Sequence, residues 1–364
     1  MGEGLKKEDS AALKGIAILM MVFHHCYRTE KKFAGYEILF TPFTAENVIH
    51  LALYMKICVC IFAFVSGYGL MYGYLRNQNP DNRISDSAFV KRHLFSTCSG
   101  YWFLVVPAYL VYGVRNGFSY GKWGTTLWEK AAGILTDALG LSEILGTKSV
   151  NGAWWYMGAA ITFIILVPVL GQVILKMGSL TCIGLAFLLP RLLNIGFQGG
   201  RSPLSFLMVL VVGMVCCKKD VFARFHRWVP FGSRYAGGFL KFVLLAALVL
   251  WGYQSYRLLP FSYCWEYQFA FIPFILILFL KEYVFRIPGL KRLLGFLGKH
   301  SLNIWLVHTF VRDYLKSYLW SLKYFALVPL AILLISLVLS VVINALKKYT
   351  GYDGLIRKIS RSFV

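Results

Sequence analysis

Charge is scarce in this sequence, and acidic charge is scarcest. Only 15% of the 364 residues are charged, with 16 Asp and Glu against 38 Lys and Arg. With 58% hydrophobic and 17% aromatic residues and a mean hydropathy of +0.62, too little polar surface is left to cover a water-soluble globule. No polar stretch is long enough to form a separate soluble catalytic domain, so any chemistry belongs in or beside a membrane. CxxC pairs are absent, and the eight cysteines lie in or at the edges of apolar runs, which excludes a disulfide framework or a zinc site and leaves them as small packing residues. Walker-type glycine loops, GxSxG elbows and HExxH helices are missing too. No small-residue cleavage site follows Met1 to Ser10, so the chain is expected to run directly into its first span.

What is present is a series of apolar runs of about 20 residues, the length that crosses a bilayer as helix. They predict an all-α integral membrane protein, a bundle of about ten transmembrane helices over 11–27, 48–75, 94–113, 153–175, 179–198, 203–217, 239–258, 261–280, 301–320 and 325–346. An eleventh run, 126–145, is interrupted by Glu129, Lys130, Asp137, Ser142 and Glu143 at spacings that share one helical stripe, which predicts an amphipathic helix lying on the outer surface. Basic residues decide between the topologies. With both termini cytoplasmic, inner segments hold twice as many Lys and Arg as outer ones, whereas counting 126–145 as a span would put the basic 216–234 loop and the tail outside. The net charge of +22 therefore reads as positive-inside topology and not as a nucleic-acid surface. Residues 1–346 form one transmembrane domain on this reading, and 347–364 a basic cytoplasmic tail.

Several polar residues sit where hydrocarbon makes them costly. Lys14 and His25 are 11 residues apart in the first span, almost three turns, so they share a face about 16 Å long. His25 reads as a titratable group facing a polar cavity or as an interfacial histidine; His24, about 80° around the helix, reads as interfacial. Arg191 inside the fifth span lines a cavity or pairs helices, and Lys56 snorkels from the second. Ser66 and Gly67 allow close packing or contribute to a site. Ser301, Asn303 and His308 could form one polar stripe, and Trp154 and Trp155 an aromatic belt or a platform for a sugar ring.

In their order, these residues resemble a family. "LKGIAILMMVFHH" is similar to the first helix of the membrane acyltransferase-3 family, in which a basic residue and Gly precede a histidine; Lys14, Gly15 and His25 occupy those places. "IFAFVSGYGL" at 61–70, "AWWYMGAAITFIILVPVL" at 153–170 and "LGKHSLNIWLVHTFV" at 297–311 resemble later family segments. The resemblance implies a ten-helix plasma (inner) membrane enzyme that moves an acyl group, commonly acetyl, from cytoplasmic acyl-coenzyme A to a hydroxyl of a glycan or cell-envelope saccharide. It casts His25 as general base, Lys14 as its cationic companion, and Lys91, Arg92 and His93 as the coenzyme-binding cluster. Ser66, Arg191, Trp154, Trp155 and His308 then belong to the acceptor cavity, and no metal is needed, because a thioester is already activated.

Two departures stand out. Lys14 replaces the family's Arg, keeping the charge but losing its two-pronged grip, and "FVKRHLF" has no second arginine before Pro107. The rival readings are a glycan exporter or flippase, against which the lack of an internal repeat counts, and a scaffold, against which the intramembrane charges count.

Overall fold

A computed structural model describes residues 4–193, 201–258 and 265–363. The described residues are almost wholly helical, with one isolated bridge between Leu39 and Tyr324 as the sole β pairing among them. Seven helical segments are long and apolar enough to cross a membrane: Lys7–Tyr27, Ala45–Asn77, Asp86–Arg115, Gly152–Lys176, Tyr235–Tyr256, Tyr267–Arg286 and Leu327–Tyr349. Each corresponds to one of the ten expected spans. The other three are shorter helices, Ser179–Leu192, Leu207–Lys218 and Ser301–Tyr314, of 14, 12 and 14 residues. At 1.5 Å per residue each falls short of a hydrocarbon layer about 30 Å thick. The expected span at 301–320 breaks at Leu315, where a separate short helix, Lys316–Trp320, begins. Residues 194–198 and 261–264 of two expected spans lie outside the described residues.

The first helix is the axis of the bundle. Ala12, Leu13, Ala17, Ile18, Cys26 and Tyr27 are fully buried along it, and it packs on Cys58–Asn77, Leu290–Lys299 and Ser301–Tyr314. Glycine sets how closely these helices approach. A methyl group on Gly15 would collide with the Leu294 carbonyl, and one on Gly298 with that of Ala11. Gly67 meets the Leu210 carbonyl in the same way. Backbone contact of this kind is how membrane helices associate without a hydrophobic driving force between them. The outward faces are apolar: Val114 (71% exposed), Val169 and Val338 point away from the core, as lipid-facing positions require.

The segment expected as a surface helix over 126–145 is helical only over Leu127–Ala138. Thr126 caps it, and the Glu129 carboxylate accepts from the Thr126 and Thr125 backbone amides, which holds its pKa down at about 2. The expected single polar stripe is corrected. Leu127 and Trp128 are exposed, at 81% and 84%, while Asp137 is buried. Its carboxylate accepts from Tyr109 (2.8 Å), Ser142 (2.7 Å) and the Val150 amide (2.6 Å), and its carbonyl accepts from Tyr101 (2.6 Å). The helix ends one residue later, and a turn through Gly140, at positive φ, brings Ser142 back onto Asp137. Asp137→Ala would strand three buried donors. We expect a loss of about 3–5 kcal/mol, read as a lowered melting temperature in detergent, with Asp137→Asn recovering part of it.

The last residues form the helix Tyr352–Arg361, tied to Asp86–Arg115 by the Tyr352 hydroxyl donating to the Ser99 carbonyl and by Phe363 against Phe95.

Candidate functional site

A cavity of about 820 Å³ runs along the first helix, walled mainly by five segments, with Lys32 and Arg201 reaching it from outside them. Lys14, His24, His25 and Arg28 line it from the first helix, and Lys56 and Ser66 from Ala45–Asn77. Asp86–Arg115 contributes Ser96, Thr97, Tyr112 and Arg115, the 150–160 stretch Trp155 and Tyr156, and Ser301–Tyr314 its Ser301, Trp305, Thr309, Arg312 and Asp313. The i, i+11 spacing thus puts Lys14 and His25 on one wall.

His25 sits among groups from a distant part of the chain. Its ring centroid is 5.0 Å from that of His308, which is buried. The His308 Nδ1 lies 2.8 Å from the Trp305 carbonyl and 3.3 Å from that of Ile304. Carbonyl oxygens only accept, so Nδ1 carries the proton and Nε2 presents its lone pair; that Nε2 is buried with no hydrogen-bond partner. One turn on, Arg312 donates through Nη1 to the His25 carbonyl (3.1 Å) and grips Asp313 with Nε (2.7 Å) and Nη2 (2.9 Å). A cation is therefore held beside the imidazole pair. His24 also borders the chamber, but its Nδ1 is committed, donating to the Ala52 carbonyl at 2.7 Å.

Other expected site residues divide. Ser66 and Trp155 line the cavity, and Gly67 is the packing residue next to Ser66. Lys56, expected to snorkel outward, also faces it. His308 sits behind His25, outside the lining. Trp154 does not reach the cavity: its indole N–H donates to the Leu306 carbonyl (3.0 Å), and its ring is buried against Tyr101. Arg191 is not in the lining. Both of its terminal nitrogens pair with Glu266, one at 3.0 Å, and its guanidinium stacks on Phe187 and Trp265, so it joins helices. Lys91 and Arg92 are exposed and His93 packs on Phe89, all outside the lining, although Ser96 and Thr97 on the next turn of that helix are within it. Asn303 bonds to Ser340 and Asn344 between helices, away from the cavity.

Arg312, Arg28 and Arg115 were not singled out by sequence. Arg312 did carry a signal: an Arg-Asp pair one turn after a histidine, inside an apolar run. Among the described residues no three His, Cys, Asp or Glu side chains are placed to hold a metal ion.

These features define an integral membrane protein with a polar, histidine-bearing chamber inside an apolar bundle. Residues 10–346 match the family model described as an acyltransferase domain, and the chain belongs to the membrane acyltransferase-3 family. It is thus a membrane acyltransferase. No curated protein and no solved structure is matched by the chain.

Proposed function

We propose that this acyltransferase carries an acyl group, acetyl in the first instance, from cytoplasmic acyl-coenzyme A to a hydroxyl of a glycan or cell-envelope saccharide. The observation that carries the reading is His25 in a chamber shared with Lys14 at one end and Arg312 at the other. On this reading the seven long helices cross the plasma membrane, and three further passes run through the two shorter apolar helices and Ser301–Tyr314 together with the chain that flanks them, ten in all. Both termini are cytoplasmic, and the exposed Leu127 and Trp128 rest in the outer interface.

The chemistry needs a base, a cation and exclusion of water. His25 takes the proton of the acceptor hydroxyl as its oxygen attacks the thioester carbon, the carbon–sulfur bond breaks, and the same proton passes to the departing thiolate, giving the ester and free coenzyme. Lys14 with Ser96, Thr97 and Ser301 receives the donor. The positive charge beside His25 offsets the charge that develops on the carbonyl oxygen. A chamber walled by Phe62, Trp155 and Trp305 keeps competing hydrolysis low.

Incubating reconstituted protein with acetyl-labelled coenzyme and envelope glycans should give alkali-labile label on the glycan. Absence of transfer to every fraction, with vesicles moving unmodified glycan, would replace the reading with export. Lys14→Arg should retain or improve use of the donor, since a guanidinium contacts phosphate at two points. A tenfold rise in its coenzyme KM would remove Lys14 from donor binding.

A further inference from the structure

The chamber's second end has no balance of charge. Beyond His25 its lining carries Arg28, Lys32, Arg115, Arg201 and Arg312, against one carboxylate, Asp313. Both oxygens of Asp313 are taken by Arg312. Among the described residues, Arg28, Lys32, Arg115 and Arg201 form no ion pair with a carboxylate; Arg115 instead stacks over the Tyr314 ring at 4.4 Å.

Arg28, Lys32, Arg201 and Arg312 are close enough to disturb one another. Burial is the first reason that the Arg28 and Lys32 pKa values are lowered, and the next is repulsion, from Arg201 and Arg312 on Arg28 and from Arg312 and Arg28 on Lys32, which Asp313 offsets only in part. Four like charges around one space, against a single carboxylate that Arg312 already holds with both oxygens, leave an excess of positive charge that suits an anion. Topology does not account for them. With the N-terminus inside, this end faces out, where the positive-inside rule depletes Lys and Arg. The donor's phosphates do not account for them either, since the coenzyme enters at the Lys14 end.

We propose that the outer half of the chamber is a binding site for an anionic acceptor, a saccharide bearing carboxylate or phosphate groups, with Arg28, Lys32 and Arg115 as its anchors. Two further features suit a sugar. Trp155 and Trp305 supply aromatic faces, the second fixed by its indole N–H donating to the Ala153 carbonyl (3.0 Å). Thr309 also lines the chamber, and its buried hydroxyl has no hydrogen-bond partner, so a small side-chain rotation would offer it to a sugar hydroxyl. Carboxylate and phosphate share the oxygen geometry that guanidinium recognises, so specificity comes from charge and stacking together. The proposal rests on the acyl-transfer reading for calling the bound saccharide an acceptor.

The test uses full-length protein in lipid nanodiscs and three oligosaccharides of matched length: one of uronic acids, one linked by phosphodiesters, one neutral. Binding is measured by calorimetry at low and high salt, and acetyl transfer separately. At least one charged probe should bind at least about tenfold tighter than the neutral one, and added salt should erase the difference. Arg28→Gln and Arg115→Gln, on separate helices and checked for unchanged melting, should each weaken that probe about tenfold with the coenzyme KM unmoved; Arg28→Lys should restore most of it. Which charged probe binds identifies the anion. Equal binding of the neutral probe, or Gln variants that move the coenzyme KM and not probe binding, would overturn the proposal. Transfer to the neutral probe alone would do so too, leaving acyl transfer intact. A charged probe that binds by Arg28 and Arg115, with no transfer to any saccharide, would keep the anion site and remove the acyl-transfer reading.

Discussion

Replacing His25 by Ala is expected to lower acyl transfer by about 10²–10⁴-fold while leaving the protein folded. Two features of the structure separate the chemical effect from a folding effect. The imidazole borders a chamber that is already open, so its removal enlarges a polar space and does not leave an empty hole in packed core. The Arg312 contact goes to the His25 backbone carbonyl, which every side chain provides. The loss should therefore appear in kcat, with the KM for coenzyme little changed. The check is initial rates over a range of donor concentration beside a melting curve in the same detergent. Transfer within about threefold of the parent, in a variant that melts with it, would take the base assignment away from His25.

The second large effect is on the bundle itself. Gly15→Ala and Gly298→Ala each place a methyl group against a carbonyl of the facing helix, Leu294 and Ala11 respectively. Backbone cannot rotate out of the way as a side chain can, so the first helix and Leu290–Lys299 must part along their whole contact. We expect a cost of about 3 kcal/mol or more for each. The gap would also carry Lys14, the neighbour of Gly15, off its place in the chamber wall. Gly295→Ala is the matched control: it lies on the same helix, and a methyl there meets nothing within 4 Å, so the substitution should be neutral or stabilise by about 0.5–1 kcal/mol. Thermal melting and yield in detergent measure all three. A Gly15→Ala protein that melts with the parent would show the helices to be less tightly apposed than their backbones indicate.

Local spacing carried the first wall of the chamber and no more. Lys14 and His25 could be placed on one face because helical geometry is the same in any helix. The groups opposite them could not. His308 and Arg312 approach His25 from 283 and 287 positions further along the chain, through the rotation at which Ser301–Tyr314 packs on the first helix. That rotation is the sum of many small packing contacts, and periodicity does not encode it. Arg191 shows the same limit. Its charge inside an apolar run was visible, but the choice between lining a cavity and pairing helices depended on Glu266, 75 residues away. Asp137 shows it in reverse, since a spacing that fits a solvated stripe was folded inward by a turn at Gly140.

By itself the sequence determined the solvent, the helical class and the family. Those follow from composition, from the length of apolar runs and from ordered short motifs, all of them local properties that survive any arrangement of the helices. Only the tertiary structure decided which ionisable side chains share a chamber, which are spent on joining helices, and that one end of the chamber is left strongly positive. Charge balance inside a membrane protein depends on distances between segments far apart in the chain, and these exist only once glycine-lined backbones have set how closely and at what angle the helices meet.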